Sequence, residues 1–303
     1  MSGPLAYFDG RFVPAGEAGL PLHDAGFVLG VTVSDLCRTF RHRLFRLDDH
    51  LIRFLTSCQL ARVPQPMEYR QLKDVAERLT EHNAAMMAAE DDLALVMFAT
   101  PGPIGYYAGE AGGAGDGPPT FGMHTFPLPC ARYRRMFSEG VHLAVPSVRH
   151  VPATSVDPRI KQRSRMHWWL ADREVQGSFP GATALLLNEG GLVTETAAAN
   201  LLMVHGGAVL SPSRALILGG ISLLTVEELC GEMRIPFREE PITLIDCRKA
   251  DEAMLSSTPY CLAPVRQIDD TLLPHPGPIF ERLLAAWSQR VGVDIRAQII
   301  GDA

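Results

Sequence analysis

The 303-residue sequence lacks several features that mark particular classes of protein. It has no run near the roughly 20 apolar residues that span a bilayer, and its first residues do not resemble a signal peptide. Its six scattered cysteines form no CxxC pair, which indicates reduced thiols rather than a disulfide framework. A net charge of −6 without a basic cluster gives no reason to expect nucleic acid or an anionic membrane as partner. We therefore expect a cytoplasmic protein.

Several chemical motifs are also missing. The sequence contains no P-loop, no HExxH and no GxSxG, so neither a nucleotide phosphate site nor a metal site is predicted. Residues 101–118 carry seven glycines and three prolines, a composition that cannot hold a regular helix or a central strand. This glycine cluster is not a dinucleotide fingerprint, because it neither follows a strand nor opens a helix.

What is present is an ordinary globular composition, with 47% apolar and 20% charged residues. The length exceeds the roughly 250 to 300 residues at which one hydrophobic core stops growing, so two domains are predicted. We place an α+β domain over 1–126, a connection over 127–133 and a larger, strand-rich domain over 134–303. The pattern predicts helices over 67–83, 161–176 and 223–233, and a hairpin with an Asp-Gly turn in AYFDGRFVP.

Lys161 is the first candidate for chemistry. It follows Asp157-Pro158 and precedes an apolar stripe of helical period, so the pattern places it at a helix N-terminus. The positive end of the helix dipole, together with Arg159 and Arg163, should lower the pKa of the amine, as a Schiff-base lysine requires. The competing interpretation is an ordinary solvated basic helix start.

Three further segments carry polar residues at the ends of apolar runs. Glu195 follows an apolar hairpin, where a buried carboxylate needs a partner. Gly219-Gly220-Ile221-Ser222 precedes a helix, an arrangement that suits an anion such as phosphate. A hydroxyl cluster, 256–258, ends a later strand. Each has a simpler interpretation: a surface charge, a Ser N-cap or a polar strand end.

Taken together and in this order, these segments resemble the fold type IV enzymes that use pyridoxal 5'-phosphate (PLP). That family includes the branched-chain and D-amino acid aminotransferases, the R-selective amine transaminases and aminodeoxychorismate lyase. The resemblance also covers YFDGRFVP, RLFRLDDHLIRFLTSC and ADEAMLSSTPYCLAPVRQID, about residues 6 to 269. It implies an α+β fold with a small N-terminal α/β sandwich domain and a larger C-terminal pseudo-barrel domain. It also implies a homodimer with its active site between the domains.

The resemblance implies roles for individual residues. Lys161 matches the Schiff-base lysine, which also moves the proton between the substrate Cα and the cofactor. Glu195 matches the carboxylate that faces the pyridine nitrogen, and Arg53 matches the arginine that binds the phosphate. The other matches to cofactor-binding positions are Asn200, Ile221, Ser222 and Thr258.

The sequence departs from the family pattern around the substrate. Ser34 stands where an aromatic residue is common, and the arginine expected in the 101–110 loop is replaced by Tyr106, Tyr107 and glycines. Pro259 follows Thr258 and has no N–H to offer a carboxylate. Substrate recognition must therefore use other groups, for which the candidates are Arg38, Ser34, Tyr106 and Ser257.

The resemblance favours a PLP-dependent aminotransferase that moves an amino group between an amino acid or amine and a 2-oxo acid. Two alternatives stay open. Arg165, four residues after Lys161, is an arrangement that also occurs in the lyase members, so a lyase of the aminodeoxychorismate type is the second hypothesis. A catalytically silent member of the fold is the third, and the joint retention of Lys161, Glu195 and Arg53 argues against it.

Overall fold

The computed structural model describes residues 3–301, which form two compact units. The first unit contains the residues up to Leu128 together with Ile160–Ser164, and the second contains Pro129–Arg159 and the residues from Arg165 onward. The division drawn from the sequence made each domain one continuous segment with a connection over 127–133. In the structure a helix already begins at Cys130, and the chain returns to the first unit for five residues around Lys161.

The first unit is an antiparallel sheet of six strands with helices packed on one face. The strands are β1 Leu5–Phe8, β2 Arg11–Pro14, β3 Val33–Phe40, β4 Arg43–Leu44, β5 Leu93–Thr100 and β6 Thr120–Pro127. The helices are α1 Ala25–Val28, α2 Leu47–Ala61 and α3 Tyr69–Ala84, with short 3-10 turns at Ala15–Glu17 and Gly105–Ala108. The strand order is β2-β1-β6-β5-β3-β4.

Local sequence explains these elements. Asp9 and Gly10, which join β1 to β2, both have positive φ, which is the backbone of the primed hairpin turn that Asp-Gly favours, so the predicted hairpin is confirmed. In α3 the residues Leu72, Val75, Ala76 and Leu79 are all buried, and their spacing gives the helix one apolar face.

Strand alternation divides the sheet into two faces. Val33 of β3, Met97 of β5 and Met123 of β6 belong to the core cluster formed with α2 and α3. Residues one position along each strand therefore have their side chains on the opposite side, which we call the far face. Ser34 lies on the far face, while Asp35 lies on the helix side.

Arg38 does not have the exposed position expected of a substrate-binding residue. Its side chain is 1% exposed and forms an ion pair of 3.3 Å with Asp92, while its guanidinium stacks 3.9 Å from the ring centre of Phe40. Asp92 also accepts a hydrogen bond from Thr39 Oγ1 at 2.6 Å. A buried cation that is already paired in this way supports the sheet edge, so the prediction that Arg38 binds a substrate carboxylate is not supported.

The second unit is built on nine strands. They are β7 Val141–Ala144, β8 Thr183–Leu187, β9 Val193–Thr196, β10 Asn200–His205, β11 Ala208–Ser211, β12 Phe237–Glu239, β13 Glu252–Ser257, β14 Cys261–Ile268 and β15 Thr271–Leu272. Its helices are α4 Cys130–Ser138, α5 Met166–Ser178, α6 Ile221–Glu232, α7 Leu244–Arg248, α8 Pro278–Val291 and α9 Ile295–Ile300. No helix in the described range 3–301 is both long and apolar enough to cross a bilayer.

Six strands of this unit close into a ring. The pairing runs β10-β13-β14-β7-β8-β9, and β9 then pairs again with β10. The closing pair is Glu195 opposite Asn200. Closure removes the exposed edges of an open sheet and gives the pseudo-barrel that the family resemblance implies.

The buried pair Arg38–Asp92 yields a prediction about stability. We expect Asp92→Ala to lower the free energy of unfolding by about 3 kcal/mol, because it leaves a buried guanidinium without its carboxylate. Urea unfolding followed by circular dichroism measures the change. Asp91→Ala is the matched control, since Asp91 is exposed. Equal stability of the two variants would contradict a structural role for the pair.

Candidate active site

The backbone of Lys161 is held on two sides within the first unit. Its N–H donates to Ser57 Oγ of α2 at 3.1 Å, and its carbonyl accepts from the N–H of Ser34 at 2.9 Å. Gln162 pairs with Val33 as an isolated antiparallel bridge, and the N–H of Arg163 donates to the carbonyl of Thr32. Residues 161–163 therefore run as an extended segment along the edge of β3.

This geometry corrects one sequence-based prediction. The helix predicted over 161–176 begins at Met166, five residues after Lys161. The helix dipole acts within about one turn of the terminus, so it does not explain the chemistry of this lysine. The apolar stripe is helical as predicted, but residues 161–163 before it pair with β3.

Lys161 also differs from the other lysines. The chain has only three: Lys73, Lys161 and Lys249. Lys73 forms an exposed ion pair of 2.7 Å with Asp48, and Lys249 is an exposed residue that follows α7. A covalent carbonyl site needs a partly protected amine, and Lys161 is a half-buried lysine whose charge acts on the buried His50.

A buried charged cluster beside this segment joins Asp35 of β3 to two residues of α2. Asp35 accepts hydrogen bonds from Arg53 Nε at 2.7 Å, from Arg53 Nη2 at 2.8 Å and from His50 Nδ1 at 2.8 Å. His50, Arg53 and Ser57 recur at helical spacing, so α2 presents one face to both Asp35 and Lys161. Asp35 thus fixes the direction of the Arg53 guanidinium by a two-point contact.

Electrostatics in the cluster follow from these contacts. Burial acts to raise the pKa of Asp35, but the charges and hydrogen bonds of Arg53 and His50 outweigh it and hold that pKa below its usual range. Burial lowers the pKa of His50, and the positive charges of Arg53 and Lys161 lower it further against the opposing effect of Asp35. The cluster at neutral pH is therefore an ionised carboxylate between a guanidinium and a neutral imidazole.

The second unit holds Glu195 by an equally complete set of contacts. Asn200 Nδ2 donates to Glu195 Oε2 at 2.9 Å and to the carbonyl of Leu218 at 2.9 Å. The N–H of Leu218 donates to the Glu195 carboxylate at 3.2 Å. The predicted pair Glu195 and Asn200 is therefore in contact, and Asn200 orients the carboxylate.

The same asparagine fixes the start of α6. A Cβ added at Gly220 would lie 2.1 Å from Asn200 Oδ1, so only glycine allows this approach. Gly220 is the N-cap of α6 and supplies no side-chain cap, so the first N–H groups, those of Ile221 and Ser222 included, are left for another acceptor. An anion such as phosphate suits this position.

The hydroxyl cluster lies in register with Glu195. Ser256 is opposite Asn200 in the pairing of β13 with β10, so its side chain is on the same face as those of Asn200 and Glu195. Ser256 Oγ is buried, and within residues 3–301 it has no hydrogen-bond partner. Ser257 Oγ donates to the carbonyl of Ala198 at 2.6 Å, and Thr258 lies in the turn that follows β13.

These observations match the chemistry of PLP. The cofactor carries a pyridine nitrogen, a phosphate and an oxygen-bearing ring. An oriented carboxylate suits the nitrogen, an uncapped helix start suits the phosphate, and a buried hydroxyl without a partner suits a polar ligand atom. The donor set of the second unit therefore fits the group that the sequence motifs imply.

His150 is a further neighbour of Glu195 that sequence reasoning missed. Its Nε2 lies 3.7 Å from Glu195 Oε1, while Nδ1 is 3.0 Å from the carbonyl of Val151. Because a carbonyl only accepts, Nδ1 carries a proton. The rings of His167 and Trp168 pack against the His150 ring. Burial lowers the pKa of His167 to about 4, with smaller contributions from the charges of His150 and Arg165.

The predicted substrate residues Ser34 and Tyr106 differ in position: Ser34 contacts the Lys161 carbonyl through its N–H, whereas Tyr106 lies apart from these contacts. Ser34 is buried on the far face of the sheet, where it pairs with Phe98. Tyr106 is 76% exposed in the 3-10 turn Gly105–Ala108, with its ring against Tyr107. The glycine-rich loop is fixed at its base, because Ile104 N–H donates to the carbonyl of His23 and Gly102 accepts from Ala25 N–H.

Asp35, His50, Leu218 and His150 were all absent from the sequence-based set, and Ser256 was noted there only as part of a hydroxyl cluster. Asp35 follows Ser34 in a strand, and His50 lies three residues before Arg53, so their spacing was a usable signal. The role of the Leu218 backbone had no such signal, because any residue supplies the same N–H.

The Asp35 cluster yields a pH prediction. Because the pKa of Asp35 is depressed in the folded state, its stabilisation is fully present above about pH 4 and is lost as the pH falls further. We expect Asp35→Asn to unfold about 3 kcal/mol more easily at pH 7, with a smaller difference from the native chain at pH 3. Urea titrations at both pH values measure this. Asp74→Asn, at an exposed i,i+4 pair, should change stability by less than about 0.5 kcal/mol.

Comparison with known proteins agrees with this arrangement. The family model described as amino-transferase class IV matches residues 32–268. A Methanocaldococcus jannaschii protein assigned as a branched-chain-amino-acid aminotransferase is 27% identical over 270 residues, 88% of each chain. The D-alanine aminotransferase of Bacillus licheniformis is 25% identical over 292 residues, covering 94% of this chain and 96% of that protein.

Solved structures show the same fold. The branched-chain amino acid aminotransferase of Escherichia coli superposes with a TM-score of 0.86 at 19% identity, over 95% of this chain and 94% of that one. The family resemblance, the two-domain α+β fold and the assignment as an enzyme are thereby confirmed. The chain belongs to the class IV aminotransferase family, whose members use PLP.

Proposed function

We propose that this chain transfers an amino group between an amino acid and a 2-oxo acid, with Lys161 as the residue that binds PLP covalently. The observation that carries the proposal is the placement of Lys161, whose backbone is fixed by Ser57 and Ser34 beside the Asp35 cluster. Two relatives named for aminotransfer, one toward branched-chain amino acids and one toward D-alanine, support the reaction class.

Each side chain then has a defined task. PLP, when bound, supplies a carbonyl carbon that reacts with amines and a ring that accepts electrons. Lys161 would hold the cofactor covalently through its amine, and the same amine, once free, would move the proton at the substrate Cα. Glu195, oriented by Asn200 and the Leu218 N–H, would hold a proton on the pyridine nitrogen.

Two sets of donors are candidates for the phosphate. Arg53 offers a guanidinium whose direction Asp35 fixes, and α6 offers the N–H groups of Ile221 and Ser222. The Thr258 hydroxyl matches a further phosphate contact in the family. Arg53 stabilises the ionised carboxylate of the buried Asp35. The same contact therefore stabilises the fold and orients the phosphate donor.

Borohydride trapping tests the covalent assignment. We expect reduction of the purified holoenzyme to fix one cofactor on the chain, and peptide mass spectrometry to place it on Lys161. Lys161→Ala should lose the adduct and amino transfer altogether, because no other group can hold the carbonyl carbon. Lys73→Ala and Lys249→Ala are the controls and should retain both. An adduct on either control lysine would overturn the assignment.

A donor screen identifies the reaction. Amino acids of both hands and simple amines are offered with pyruvate or 2-oxoglutarate as acceptor, and the new amino acid is measured. Conversion of the acceptor supports amino transfer. Release of pyruvate from aminodeoxychorismate without any acceptor would instead show the lyase reaction.

We also propose that the protein is a homodimer in the cytoplasm. The first unit exposes Leu22, Phe27 and Leu29 at 55% or more, and the second exposes Met166 and Trp169 of α5. Apolar surface of this extent is typical of interaction sites. All six cysteines are free, which suits a reducing compartment.

Light scattering tests the assembly. We expect a mass twice the 33.1 kDa of the chain, and a lower mass for Phe27→Glu, because a charge would have to be buried without a partner. Ile52→Glu on α2, another exposed apolar residue, is the control and should leave the mass unchanged. A native chain that stays monomeric at micromolar concentration would contradict the proposal.

A further inference from the structure

We propose that Arg163 binds the carboxylate of the substrate on the far face of the first unit's sheet. This inference rests on the proposed function, because it assigns the group that recognises the substrate at the Lys161 site. It concerns recognition of the substrate carboxylate, for which the predicted cation, Arg38, is buried against Asp92 and Pro259 has no N–H to offer.

Backbone register places Arg163 on the same side of the chain as Lys161. Residues opposite one another in an antiparallel bridge share a face, so Gln162 is on the helix side with Val33. Ile160, two residues earlier, packs against the helix-side core as this alternation requires. Lys161 and Arg163 therefore both direct their side chains to the far face, about 7 Å apart along the strand.

The positive charge of Arg163 acts on a residue of the far face. His124 of β6 lies one position from the core residue Met123 and so belongs to the far face. Burial lowers the pKa of His124, and the positive charge of Arg163 lowers it further. The positive charge of Arg163 is therefore close enough to act on a far-face residue of β6.

Arg163 is also available for a ligand. The residue is exposed, although neighbouring atoms lower the pKa of its guanidinium by burial against the opposing charge of Asp35. Within residues 3–301 its guanidinium forms no ion pair or side-chain hydrogen bond. Its neighbours in sequence differ: Arg159 is paired with Asp157 at 2.6 Å. A planar guanidinium without a carboxylate, two residues from the lysine that reacts with the amine, suits the carboxylate that an amino acid carries next to its amine.

The register also explains why this position suits an α-carboxylate. Side chains two residues apart on a strand project in parallel, so the lysine amine and the guanidinium reach the same layer above the sheet. A substrate whose Cα meets Lys161 then directs its carboxylate to Arg163. Simple amines lack that group, and the site should distinguish them from amino acids.

Binding of oxo acids to the holoenzyme tests the proposal. Calorimetry compares pyruvate and 2-oxoglutarate with pyruvamide, which keeps the keto group and lacks the charge. We expect the native enzyme to prefer the acids over the amide, and Arg163→Gln to weaken both acids roughly 10- to 100-fold while leaving the amide unchanged. A loss confined to 2-oxoglutarate would place the guanidinium at the distal carboxylate and would overturn its assignment to the α-carboxylate.

Controls separate this inference from the function and from folding. Arg159→Gln, which removes a nearby exposed arginine, should leave all three affinities unchanged. Arg163→Met is a second neutral variant of similar length, used if Arg163→Gln misfolds. The borohydride adduct on Lys161 should persist in these variants. Its absence from the native enzyme would refute the proposed function and not the role of Arg163. Equal affinity for acid and amide in the native enzyme, or unchanged acid binding in the neutral variants, overturns the inference.

Discussion

The contact between Glu195 and Asn200 organises the second unit. It is the pair at which β9 meets β10 and closes six strands into a ring, and it is also the hydrogen bond that orients the carboxylate. Asn200 then limits residue 220 to glycine, which sets the start of α6. The direction of a carboxylate and the glycine at a helix N-terminus therefore depend on one amide side chain, located where backbone pairing closes the ring.

The first unit has a comparable constraint in Asp35. A fully buried carboxylate is costly unless it is paired, and Arg53 and His50 satisfy it with three hydrogen bonds. The consequence for function is geometric, because the guanidinium and the Ser57 hydroxyl that holds Lys161 lie one turn apart on α2. In both units, groups assigned to the cofactor are held by residues that also stabilise the fold, as is expected where a site needs precise orientation.

Arg38 and Arg163 show that tertiary structure decides which arginines gain an acidic partner. Both were visible in the sequence beside candidate site residues. The structure buries Arg38 against an aspartate 54 positions away, whereas the Arg163 guanidinium has no ion pair or side-chain hydrogen bond among residues 3–301. Whether an arginine is structural or free to bind a ligand depends on the acceptors that folding brings to it. Those acceptors cannot be derived from the adjacent residues in the sequence.

Local pattern determined much of this protein. The Asp-Gly hairpin and the apolar face of α3 followed from the sequence, because turn chemistry and strand or helix periods act over a few residues. The roles of the motifs around Lys161, Glu195 and Ile221 came from their resemblance to a known family. Tertiary structure alone decided that 160–164 join the first unit, that Lys161 lies on a strand edge rather than in a helix, and that Asp35 and Leu218 support the site. These features depend on backbone pairing and buried charge between distant segments, where partners are chosen by the packing of the whole unit.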